Sequence, residues 1–221
     1  MCNLYASTRP PQAIVQAADA MVVDPAIGNL QPQEGIYPDY TAPIVRHGDQ
    51  GRTLAMARWG LPKPAFALKG KKVDSGVTNV RNTDSAHWRR WLGVPHRCLV
   101  PWTRFSEPGR TAEGKYEPVW FEMADPDVVP FFAGLCIAQW TSVRKLKEGA
   151  VTADLFAFLT TEANAEVGAV HPKAMPVILT TAADIETWLM ADWAEARHLQ
   201  KPLADGCLRR LAPVKAPRLN A

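Results

Sequence analysis

Strand-forming runs outnumber helical ones in this sequence, and the two do not alternate. Residues 119–123, 131–140 and 154–160 are rich in Val, Phe and Ile and read as strands. Shorter extended runs fall at 53–59, 77–81, 97–102, 175–180 and 208–214. Helices are expected over 13–23, stopped by Asp24-Pro25; over 85–92, capped by Thr83 or Asp84 and closed by Gly93; over 163–167; over 181–190, capped by Thr180 or Thr181; and over 192–200. A doubly wound parallel sheet needs strands and helices in regular alternation, and that pattern is absent. The expectation is α+β: one domain over residues 1–221, with a curved, mostly antiparallel sheet or open barrel flanked by helices. Residues 28–43 read as an irregular packed loop, 69–72 as a basic loop and 108–117 as a polar hairpin loop, with a frayed tail.

Composition narrows the function classes. With 221 residues, 47% apolar and 21% charged, the chain can bury a core without staples. Cys2, Cys98, Cys136 and Cys207 are far apart with no C-x-x-C, so neither a disulfide framework nor a metal site is expected. No cofactor is expected either. No apolar run approaches the roughly 18 residues of a membrane span, and Arg9 with two prolines interrupts any leader-like start. A soluble, cytoplasmic monomer without a membrane partner is the expectation. The net charge of +3 and pI of about 8.7 permit a nucleic-acid partner without demanding one.

The start of the chain carries the most distinctive chemistry. Cys2 follows the initiator directly, so removal of Met1 would leave an α-amine and a thiol on adjacent carbons. The amine titrates near ~7.7–8.0 and the thiol near ~8.5, which makes such a terminus a reagent for aldehydes. The amine forms an imine, and the thiol closes on the same carbon as a five-membered thiazolidine. Four further residues are candidates. Asn79 and Arg81 leave one face of an extended segment and suit recognition of a carbonyl, hydroxyl or phosphate; an ordinary strand edge is the plain alternative. Glu107, in Phe105-Ser106-Glu107-Pro108, could be desolvated enough for general-acid work, or be a solvated loop glutamate. His171 could shuttle protons or be a satisfied structural histidine. Trp88 and Trp91 share a helix face and read as core, leaving Arg89 and Arg90 to meet phosphates or solvent.

The order of the short motifs resembles the SOS response-associated peptidase (SRAP) family, the abasic-site processing proteins. The matching pieces are Met1-Cys2, Ala42-Pro43, Arg58-Trp59-Gly60-Leu61, Asn79-Val80-Arg81, Arg97-Cys98-Leu99-Val100-Pro101 leading to Glu107, His171 with Met175-Pro176-Val177-Ile178-Leu179, Trp188-Leu189 and Pro213-Val214. The resemblance implies self-processing that removes Met1, after which Cys2 captures the ring-opened aldehyde of an abasic site in single-stranded DNA as a thiazolidine, with imine chemistry like that of a lyase. It implies that Asn79 holds the Cys2 end and the sugar, that Arg81 meets phosphate, that Glu107 assists proton transfer and methionine removal, and that His171 helps open the sugar ring. Arg104, Lys173, Arg89 and Arg90 are expected along the DNA channel, with Trp59 as a further DNA contact. Association with the nucleoid during DNA damage follows from the same resemblance.

The chain departs from the family pattern around these residues. Asn3 replaces a glycine, Tyr40 an asparagine, and Pro108 a tryptophan after the glutamate; one residue is added in His171-Pro172-Lys173-Ala174-Met175-Pro176. Two other functions fit a Cys2 terminus. One is an N-terminal-nucleophile amidohydrolase with Cys2 attacking an amide. The other is a nucleic-acid binding module in which Cys2 is incidental.

Overall fold

The computed structural model describes residues 2–111 and 113–212. Met1 and the motif Pro213-Val214, with the end of the last expected extended run, lie outside the described residues.

Among the described residues, fourteen strands form two sheets. The first is antiparallel throughout and runs β14 (Leu208–Arg210), β9 (Tyr116–Met123), β8 (Arg104–Arg110), β1 (Tyr5–Ser7), β3 (Gln33–Ile36). The second is built on β4 (Thr41–Gly48), β5 (Gly51–Trp59), β7 (Arg97–Pro101), β10 (Phe131–Val143) and β11 (Ala150–Thr161). These five close on themselves. Antiparallel pairs link β11, β10, β7, β4 and β5 in that order, and a parallel contact of Leu155 with Arg58 and Phe156 with Trp59 joins β5 back to β11. The expected open barrel is therefore a closed mixed one. Short strands extend it: β2 (Val22–Val23) on β5, β6 (Asn79–Val80) and β12 (Met175–Pro176) on β11, and β13 (Ile178–Leu179) on β10.

Side-chain alternation makes both faces of the barrel strands apolar. Val45, Leu99, Phe131 and Leu155 pack with Ile14, Trp88, Trp91, Trp188 and Leu189 of the helices. Their chain neighbours Ile44, Val100, Phe132 and Phe156 pack instead with Tyr5, Phe105 and Phe121 of the other sheet. This second cluster holds Cys2. The helices are short: α1 (Pro11–Ala17), α2 (Ala65–Leu68), α3 (Ala86–Arg89), α4 (Ala165–Gly168), α5 (Ala182–Met190) and α6 (Trp193–Ala196). In α5 the Thr181 hydroxyl accepts from the Asp184 amide at 3.0 Å, and Ile185, Trp188 and Leu189 make its buried stripe. Buried Arg97 of β7 donates to the carbonyls of Trp188 (2.9 Å) and Ala191 (2.7 Å), pinning the end of α5 to the barrel.

Several boundaries differ from the sequence reading. The helix expected over 13–23 ends at Ala17, because the chain peels off to add Val22–Val23 to β5. The loop expected over 28–43 contains β3 and the start of β4. The helix expected over 85–92 covers only Ala86–Arg89, with Ser85 as its cap. The hairpin loop expected over 108–117 shrinks at both ends, since 108–110 belong to β8 and 116–117 to β9, and Glu107 lies inside β8.

The barrel leaves no room for a side chain at Gly134. A Cβ there would sit 2.6 Å from Cys98 Sγ and 2.9 Å from Val100 Cγ2. Gly134→Ala is expected to cost about 1–3 kcal/mol by overpacking. In urea unfolding this appears as a lower midpoint at unchanged slope; an unchanged midpoint would show that the strands yield.

Candidate functional site

The register between β1 and β8 places the chain's start. Tyr5 pairs with Phe105 and Ala6 with Arg104, and the Ser106 amide donates to the Leu4 carbonyl at 2.9 Å. Two residues further, the same register sets Cys2 opposite position 108, whose amide would bond the Cys2 carbonyl. Pro108 has no N–H to give. The Asn79 side chain takes that place, its Nδ2 donating to the Cys2 carbonyl at 2.9 Å. Asn79 is positioned by β6, in parallel register with Phe158 of β11. Its Nδ2 also donates to Thr78 Oγ1 at 2.8 Å, and Thr78 Oγ1 donates to Asn3 Oδ1 at 3.4 Å. Asn79 Oδ1 is buried and, among the described residues, meets no hydrogen-bond donor.

Glu107 lies two residues beyond Phe105, so both side chains point into the core between the sheets. The carboxyl is 1% exposed, and burial pushes its pKa up to about 7. His171 meets it from the other side. The Asn164 cap starts α4 by accepting from the Val167 amide at 3.1 Å, and the chain turns back at His171, whose amide donates to the Val167 carbonyl at 2.8 Å. His171 Nδ1 lies 3.1 Å from the Ala174 carbonyl and 3.3 Å from Glu107 Oε2. Both neighbours are acceptors when the carboxyl is ionised, so Nδ1 carries the hydrogen and Nε2 is the basic nitrogen. The turn closes on Ala174, whose carbonyl holds the ring.

Cys2 is fully buried, and its thiol donates weakly to the Leu4 carbonyl at 3.5 Å. Burial, reinforced by the Glu107 carboxylate, pushes its pKa well up. The thiol therefore rests protonated, and it acts as a nucleophile only when a base takes its proton. Glu107, titrating near neutrality beside it, can be that base and can return a proton as an acid.

The structure thus brings together Cys2, Asn79, Glu107 and His171. Arg81 reaches the rim: its guanidinium donates to the Lys173 carbonyl (3.3 Å) and pairs with Glu162 (3.4 Å), while the Lys173 side chain is exposed. Arg104 points away from Glu107, held on the outer face of its sheet by Glu34 at 2.6 Å and lying 5.0 Å over the Trp120 ring. Arg89 and Arg90 are exposed at the end of α3, with Arg90 stacked over Trp91 at 3.9 Å, and among the described residues no contact joins them to Cys2. Trp59 corrects the expectation of a DNA-facing ring. It is 1% exposed, stacks with Phe158 and donates to the Thr78 carbonyl at 3.1 Å, so it supports Asn79 from beneath. Thr78 and Asn3 were missed, because nothing in their types or spacing marks them without the fold.

The closed mixed barrel is an α+β fold that known structures share. A protein from Bordetella bronchiseptica is 22% identical, with 97% of this chain and 100% of that chain covered and a TM-score of 0.71. A protein from Bacteroides thetaiotaomicron is 20% identical, with 93% and 90% covered and a TM-score of 0.69. A phage-related protein from Bordetella bronchiseptica is 23% identical, with 97% and 95% covered and a TM-score of 0.68. At these identities the likeness is one of fold. No curated protein matches the sequence. The SOS response associated peptidase (SRAP) family model matches residues 1–216, and the chain belongs to that family. Among the described residues no helix is long and apolar enough to cross a membrane.

The raised pKa of Glu107 has a stability consequence. Between pH ~4.5 and ~7 the folded chain keeps a proton that the unfolded chain has lost, so stability falls as pH rises through that window. Glu107→Gln removes this penalty. The variant's advantage over the native chain is expected to grow by about 3 kcal/mol between pH 4 and pH 8. Urea midpoints at the two pH values check this; a pH-independent difference would contradict it.

Proposed function

We propose that this protein, once Met1 is removed, captures the aldehyde of an abasic site in single-stranded DNA through Cys2. The observation that carries the reading is the convergence of Asn79, Glu107 and His171 on the residue that becomes the new terminus. Membership of a family described by the SOS response and a peptidase activity supports it. Removal of Met1 consumes one water and frees the α-amine of Cys2.

The chemistry then divides among the residues. His171 takes the proton of the sugar's anomeric hydroxyl as the ring C–O bond breaks and passes it to the ring oxygen, which exposes the aldehyde and leaves the histidine neutral again. The α-amine adds to the aldehyde carbon to give a carbinolamine. Glu107 donates a proton to the departing hydroxyl, and water leaves an iminium that keeps its N–H. Glu107, now ionised, accepts the thiol proton as sulfur adds to the iminium carbon, and the neutral N–H thiazolidine is complete with the carboxyl protonated again. Asn79 fixes the Cys2 carbonyl throughout, and its unpaired Oδ1 is placed to accept from the amine. The buried, protonated thiol disfavours an amidohydrolase that relies on a resting thiolate.

Arg81 and Lys173 supply positive charge at the rim, with Glu162 competing for Arg81 in the absence of DNA.

Two outcomes test this reading. Protein confirmed by mass to lack Met1, mixed with a single strand bearing one abasic site, is expected to give a shifted, heat-stable band on a denaturing gel without reductant. Cys2→Ala is expected to give a band only when borohydride traps an imine. No band from the native protein would overturn the proposal. Replacing Glu107 by Gln is expected to slow capture by about 10²–10⁴-fold at neutral pH. Arg81→Ala should lower the slope of log affinity against log salt by about 1, and an unchanged slope would remove Arg81 from the phosphate track.

A further inference from the structure

A cleft of about 290 Å³ opens on the outer face of the β1–β8 pair, one residue from Cys2. Its floor is Leu4, Ser106 and Pro108, its rim includes Asn3, and Tyr37 and Tyr116 stand over it. Both tyrosines are large, exposed aromatics, Tyr37 at 48% and Tyr116 at 67%. Neither contributes to the core, and neither is used by the chemistry at Cys2.

The turn that carries Tyr37 is built to be rigid. The Tyr40 amide donates to the Tyr37 carbonyl at 3.0 Å, and Tyr40 lies edge-on to the Tyr37 ring with centroids 5.5 Å apart. Between them Asp39 adopts a left-handed backbone with φ of 74°. Arg58 clamps that residue bidentately, Nε to Oδ1 at 2.7 Å and Nη2 to Oδ2 at 2.6 Å. The Asp39 amide donates to the Trp59 carbonyl at 2.9 Å, and the Trp59 amide to the Tyr40 carbonyl at 2.8 Å. An uncommon backbone conformation held by four such bonds keeps Tyr37 preorganised in water, where an apolar ring has no folding reason to be. Tyr116 comes from the opposite side, at the end of the β8–β9 hairpin, paired with Arg110.

We propose that this cleft seats the nucleobase next to the abasic position, stacked against Tyr37 and Tyr116; the proposal rests on the reading of Cys2 as the capturing residue. Continuity with the site favours that occupant, because Asn3 and Ser106 line the cleft and flank Cys2 and Glu107 in the chain. A strand whose sugar reaches Cys2 carries its neighbouring base within one nucleotide of that point. Every base has a π-face, so tyrosine stacking serves any sequence, as an abasic site in arbitrary context requires. A peptide is a poorer occupant. The free edge of β8 beyond Cys2 begins with Pro108, which offers no amide for an added strand.

The test uses a non-reactive single strand with a tetrahydrofuran at the abasic position, so that affinity is read apart from the covalent step. A second tetrahydrofuran replaces the neighbouring nucleotide on the 5′ or the 3′ side. The full chain is expected to lose about tenfold in affinity when the base on one of the two sides is missing. Tyr37→Ala and Tyr116→Ala should each lose several-fold on the intact strand and become indifferent to the missing base, while Tyr37→Phe and Tyr116→Phe keep the native pattern. Indifference of the native protein to both neighbours, or a base dependence that survives in the alanine variants, would overturn the proposal. An absent covalent band with this affinity pattern intact would count against capture by Cys2 alone; a normal band without the pattern would count against the cleft alone.

Discussion

The pairing of β1 with β8 is the constraint on which the site depends. It leads the start of the chain along β8 through the Ser106–Leu4 bond and leaves Cys2 buried between the two sheets, near enough to Glu107 for that carboxylate to act on its thiol. Everything else at the site adapts to that placement. The hydrogen bond that the register would demand at position 108 is absent because proline stands there, and an asparagine from the far side of the barrel supplies it. The barrel's closure by the parallel β5–β11 contact brings Trp59 under Thr78 and so keeps that asparagine in position.

Burial then sets the chemistry. The same apolar wall of Tyr5, Trp59 and Phe158 that stabilises the fold raises both the thiol of Cys2 and the carboxyl of Glu107. One group is thereby kept protonated and the other is balanced near neutrality. A pair of this kind suits a sequence in which an amine attacks first and a thiol second, with one carboxyl passing the proton in both directions. The histidine beside it, oriented by a backbone carbonyl and the carboxylate, completes the arrangement from the loop after α4.

Much of this was legible in the sequence, and the limits were physical. The long strands β10 and β11 announced themselves over 131–140 and 154–160 by β-branched and aromatic content, and the α5 cap by the side-chain type of Thr180 or Thr181, of which Thr181 serves. The α+β class followed from their order. Residues 104–110 were harder, because Arg-Phe-Ser-Glu-Pro-Gly-Arg has the turn-formers of a loop; pairing with strands on both sides overrides that local preference. Cys2, Asn79, Glu107 and His171 were singled out by type, with plain structural alternatives left open, and took their expected roles from the resemblance in motif order; the fold brings the four side chains together. Their neighbours Thr78 and Asn3 carry no signal until the barrel closes, and Trp59 misled because a tryptophan in a short motif can equally face DNA or pack beneath the residue that does. The exposed tyrosines at 37 and 116 lie 79 residues apart in the chain, and only the fold makes them one cleft.

The central claim is that both atoms of the aminothiol end on the same carbon of the sugar. The direct measurement is mass spectrometry of the purified adduct, denatured, alkylated and digested. The account predicts a terminal peptide that begins at Cys2, bears the sugar with loss of one water, and carries no alkyl group on sulfur. A sugar-bearing peptide with an alkylated Cys2 would leave only an imine, and would contradict the role assigned to the buried thiol and to Glu107 as its base.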